Sequence, residues 1–93
     1  MKAQPTEQQR RLFCEMIHLA FVELRGLGNQ GKSEQAAALA DAFHNLPLSI
    51  FQPLFDWEMS RRYFQSYHAQ YPFEASAMPV NYVAMHDRIQ ASV

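Results

Sequence analysis

The sequence predicts an all-α fold, a compact bundle of about four helices built on an antiparallel helical hairpin. Helix-favouring residues (Ala, Leu, Gln, Glu, Met and Arg) dominate the 93-residue chain. Valine is scarce and no run alternates apolar and polar residues with period two, which argues against strands. From Leu12 to Leu24, ten of thirteen residues are apolar. That stretch is too short and too interrupted to cross a membrane. It is also too apolar for a helix with one wet face, so it reads as the helix around which the rest folds.

The elements follow in order. Residues 1–5 read as a frayed terminus. Thr6 can cap a first helix from about Glu7 to Leu27, because its hydroxyl can accept from a free amide of the first turn. At 100° per residue, Phe13, Ile17, Ala20, Phe21 and Leu24 share one broad face, with Met16 and Leu27 at its margin. Leu12, Leu19 and Val22 fall off it, which predicts burial against several elements or a second copy. Gln8, Arg11, Glu15, His18 and Arg25 form the polar strip, with Arg11 and Glu15 spaced to pair. Cys14, inside the apolar run, reads as a small buried hydrophobe, and as the lone cysteine it excludes an internal disulfide.

Gly26, Gly28, Asn29 and Gly31 predict the end of that helix and a turn. Ser33 is expected to cap a second helix running to about Leu46, with Ala36, Leu39, Ala40 and Phe43 as its apolar stripe. Pro47 is expected to stop it. Residues 47–55, PLSIFQPLF, are too apolar for a free loop and read as a packed helical turn or an exposed binding element. A third helix should begin near Pro53 or Asp56 and run to Gln70 or Tyr71. Trp57, Phe64 and Tyr71, seven apart, share one face of it with Tyr67. After a connection over 72–78, Pro79 can open a last helix to about Gln90, with Tyr82, Met85, His86 and Ile89 on one side.

The segment QGKSEQAAALADAFHNLP, Gln30 to Pro47, resembles the second half of a tetratricopeptide-type repeat in the placement of Gly31, Ala36 and Pro47. The resemblance covers one helical hairpin and no second repeat. It implies a hairpin of this kind and a role in protein–protein recognition.

Length bounds the rest. A chain of this size is one helical domain, 1–93, with one core. It is 48% hydrophobic and 18% charged, so disorder is not expected. The net charge of −1 gives no global case for nucleic acid or an anionic membrane. Residues 33–60 carry four acids (Glu34, Asp41, Asp56, Glu58) and no base, too few to imitate a nucleic-acid backbone. The polar first ten residues show no signal-peptide pattern, which makes the cytoplasm the expected location.

No motif carries catalysis. Glu15-x-x-His18 and Asp41-x-x-His44 have the spacing of helical di-iron ligands, but no inward glutamates accompany them. Cys14 and His18 lack an orienting carboxylate and an oxyanion loop. Arg61 and Arg62 beside Tyr63, Tyr67 and His68 could contact single-stranded nucleic acid. The generous apolar supply points elsewhere, because aromatics, methionine and arginine are enriched in interface cores.

The expectation is therefore a non-enzymatic protein–protein interaction module, an adaptor, inhibitor or regulator, without cofactor or metal and with a homodimer possible. Its partner-binding residues are expected to be Ile50, Phe51, Leu54, Phe55 and Trp57, with Arg61 and Arg62 as a polar rim. The alternatives are a nucleic-acid-binding regulator and a metal- or ligand-binding bundle using His18 and His44.

Overall fold

The computed structural model describes residues 2–73 and 80–92, which form four helices and one short helical turn. These are α1 (Glu7–Asn29), α2 (Ser33–Ala42), the turn α3 (Leu46–Ser49), α4 (Trp57–Gln70) and α5 (Tyr82–Ala91). α1 packs on α2 and α5, and α4 packs on the same two helices, so the four long helices close a ring in the order α1, α2, α4, α5. This is the all-α bundle expected from the sequence. The expected helix start at Pro79, and most of the 72–78 connection, lie outside the described residues.

Local chemistry sets the start of α1. The Thr6 hydroxyl accepts from the Gln9 amide at 3.1 Å, and the Gln9 side chain accepts from the Thr6 amide at 2.8 Å. This reciprocal box satisfies two amides that a helix start leaves without partners. The Gln9 amide nitrogen also donates to the carbonyls of Ile89 and Gln90 at 3.2 and 3.3 Å. One buried side chain thus serves the start of α1 and the end of α5.

The buried face of α1 runs through Gln9, Phe13, Met16, Ala20, Glu23 and Leu27. Their alternating four- and three-residue spacing is a 3.5-residue seam. It corrects the expected face: Phe21 is exposed, Ile17 and Leu24 are half-buried, and Met16 and Leu27 move from the margin to the centre. Two polar residues mark the seam because both have partners in the core. Cys14, expected inside, is exposed. Arg11 pairs with Glu7 at 2.9 Å rather than with Glu15.

α1 passes through Gly26 and Gly28 and ends at Asn29, two residues later than expected. The reversal is at Gly31, whose φ of 72° is open to glycine at little cost. The Lys32 amide donates to the Leu27 carbonyl at 2.9 Å and the Gly31 amide to Gly28 at 3.1 Å, the bonding of a Schellman end. α2 then folds back along α1. Ser33 is its first residue and makes no capping bond; the cap position is Lys32. α2 is also shorter than expected and stops at Ala42. Leu39, Ala42 and Phe43 are buried, whereas Ala40, expected in the stripe, is exposed and Ala36 is half-buried. Pro47 does not terminate α2 but lies in the first turn of α3, where its missing amide costs nothing.

Residues 2–5, expected to fray, are docked. The Ala3 amide donates to the Phe55 carbonyl at 3.1 Å, and the Trp57 indole nitrogen donates to the Ala3 carbonyl at 3.0 Å. Arg10 donates to the Pro5 carbonyl at 2.7 Å, and Pro5 is fully buried. α4 starts as expected, with the Asp56 carboxylate accepting from the Met59 amide at 3.0 Å. Asn81 caps α5 in the same way through the Ala84 amide at 3.0 Å.

The core is aromatic. Phe13 packs against Phe55, Trp57 and His86 with ring centroids 5.6–5.7 Å apart. A second group joins Phe43, Phe64 and Tyr82 at 4.9–6.2 Å. Trp57, Phe64 and Tyr67 lie inward, as their spacing predicted. Of the expected α5 side, Tyr82, His86 and Ile89 are buried and Met85 is half-buried.

Candidate functional site

Residues 46–63 hold most of the large apolar side chains that remain exposed. The sequence makes them apolar throughout, but the chain path sorts them. Leu46, Ile50, Phe55 and Trp57 turn inward and are buried. Leu48, Phe51 and Leu54 turn outward and are 76%, 62% and 69% exposed. On α4, Met59 and Tyr63, four apart and so on one face, are also exposed.

Leu46, Leu48, Phe55, Met59 and Tyr63 belong to the lining of a groove of about 370 Å³ between the α3 segment and the first half of α4. Leu46, Phe55 and Ala42 contribute its buried apolar lining, and Leu48, Met59 and Tyr63 its exposed one. Asn45, Ser49, Gln52 and Asp56 add polar groups. Asp56 is the only charged lining residue among the described residues. The Met59 amide that it caps, and Lys2 nearby, hold its carboxyl below the usual carboxylate range, so it is ionised at neutral pH. The Arg10 guanidinium stands over the Phe51 ring, 5.7 Å from its centroid, a cation–π contact on the surface.

The expected partner-binding set therefore divides. Phe51 and Leu54 are on the surface. Ile50, Phe55 and Trp57 are buried members of the hydrophobic core, and this corrects their expected place on the surface. Arg61 is not a free rim cation, since it grips Asp87 of α5 through two bonds of 2.7 and 3.1 Å. That contact lowers the Asp87 carboxyl and raises the Arg61 guanidinium. Arg62 is exposed. Sequence reasoning missed Leu48, Met59 and Tyr63. The signal was present: Asp56, Met59 and Tyr63 recur at helical spacing on a face of α4 beside the buried Trp57–Ser60–Phe64 stripe.

The other constellations are placed as follows. Tyr67 is buried, its hydroxyl accepts from Gln35 at 3.1 Å, and burial raises its pKa. His68 stacks on Tyr82 at 5.6 Å and 14°. Its Nε2 accepts from the Tyr82 amide at 3.0 Å, so Nδ1 carries the proton and donates to the Tyr71 carbonyl at 3.1 Å. Of the arginine–aromatic group, Arg62 and Tyr63 remain available to solvent. His18 and His44 are exposed, with Glu15 and Asp41 beside them in sequence. Among the described residues no three His, Cys, Asp or Glu side chains are grouped to hold a metal. No described helix is long and apolar enough to cross a membrane.

Compared with known proteins, the chain matches no family model, no curated protein and no solved structure.

Proposed function

We propose that this protein is a non-catalytic interaction module, an adaptor, inhibitor or regulator, that binds a partner protein through the α3–α4 groove and its apolar rim. One observation carries the reading: Leu48, Met59 and Tyr63 line the groove with exposed side chains, and Phe51 and Leu54, within the same sixteen residues of sequence, are exposed as well. Exposed apolar groups scattered singly need no explanation, whereas a clustered set beside a groove marks a contact surface. Binding of this kind rests on a few anchors in a desolvated centre. Tyr63, the arginine-covered Phe51 and the leucines are the side chains able to supply them.

Native mass spectrometry of the untagged protein from its own host tests the reading, with Leu48→Glu/Leu54→Glu as the comparison. Both leucines are mostly in water, so the double variant should keep its stability to within about 0.5 kcal/mol per site. The wild-type chain should carry a second polypeptide whose mass is lost in the variant. A partner retained equally by both proteins would move the interface away from this face.

A further inference from the structure

We propose that His86 is an acid-sensitive latch on α5: protonating its ring requires α5 to lift from α1 and α4, uncovering Phe13, Trp57 and Phe64. The ring is completely shielded from solvent, and neither ring nitrogen has a hydrogen-bond partner among the described residues. Its neighbours are aromatic rings, set at 52–74° to it, rather than oxygen or nitrogen acceptors. The centroids of Phe13, Trp57 and Phe64 lie 5.7, 5.8 and 5.8 Å away. A neutral imidazole tolerates this setting at the cost of two unmade bonds. An imidazolium, with two N–H donors and a full charge, does not.

The ionisable groups acting on the ring are Asp87, next to it on α5, and Arg61 on α4. These two are bonded to each other, and their charges act in opposite senses at the ring. α1 presents Phe13 there; its buried carboxylate, Glu23, faces Tyr82 one turn earlier on α5. Among the described residues no hydrogen-bond acceptor therefore meets the cation in the closed form, and the pull of Asp87 is opposed by Arg61. Burial, the largest influence, lowers the His86 pKa from 6.5 to about 4. The folded value is depressed, so the opened form binds the proton more tightly. The closed form is then fully favoured above about pH 6.5 and loses ground as the pH falls toward 4.

The test is amide hydrogen exchange on the full chain at about pH 7.5 and about pH 5, corrected for intrinsic rates. The opening equilibrium of α5 should rise about 30-fold between the two, the factor by which an opened imidazole out-binds the closed one at the lower pH. Protection of Met85–Ile89 should fall by that factor while Met16 and Ala20 of α1 keep theirs. His86→Phe, which keeps an aromatic ring without the nitrogens, should hold α5 protection level across the same range. Equal loss in α5 and α1 would mean that the whole fold opens and would overturn the latch. So would α5 protection that does not change with pH in the wild-type chain, whether or not the variant folds.

Discussion

Trp57→Ala is expected to destabilise the fold by about 3–5 kcal/mol, the usual cost of truncating a buried aromatic. Trp57 is 2% exposed at the first position of α4. Its ring meets Phe13, Phe55 and His86 at 4.9–5.8 Å, so it joins α1, the α3–α4 connection and α5. Its indole nitrogen also anchors the docked terminus at Ala3. Trp57→Phe should separate the two roles. It keeps most of the apolar ring and gives up one hydrogen bond, worth about 1 kcal/mol. Urea unfolding monitored by circular dichroism measures both variants. If alanine costs no more than phenylalanine, the ring is not the keystone described here.

The second large effect is expected from Tyr82→Phe, at about 1.5–3 kcal/mol, the range for a hydrogen bond to a charged group. Tyr82 has no exposed surface, and its hydroxyl donates to the Glu23 carboxylate at 2.5 Å. Burial first, and then the bond to Glu23, push its phenol pKa far upward. It therefore remains a donor throughout the physiological range. The substitution leaves ring packing on Phe43 and Phe64 intact, so the loss reads the hydroxyl alone. A variant as stable as the wild type would show that the carboxylate does not depend on this donor.

Much of the architecture was legible because short-range chemistry fixes it. Thr6 with Gln9, Asp56 with Met59 and the glycine at 31 set helix ends through groups within a few residues of one another. The seven-residue aromatic spacing of α4 likewise identifies its buried side. The α1 face was misread for a physical reason. Apolarity marked Phe21 and Leu24, while the seam runs through Gln9 and Glu23, whose partners lie on a helix about sixty to eighty residues away. The terminus looked frayed because its hydrogen bonds go to Phe55 and Trp57, which local sequence cannot show. In the candidate site, composition located the apolar segment. Only the turn at α3 and the start of α4 decide that Phe51 and Leu54 face water while Ile50 and Phe55 face the core. Arg61 was misassigned because its acid, Asp87, is 26 positions distant.

Site-specific photo-crosslinking in the host cell tests the interaction surface most directly. A photoreactive residue is placed in turn at Leu48, Met59 and Tyr63, which line the groove, and at Gln8 and Gln65, which are exposed elsewhere. A partner seated on the α3–α4 face predicts one polypeptide adduct at the first three positions and none at the last two. Adducts at all five positions, or at the control positions alone, would contradict it.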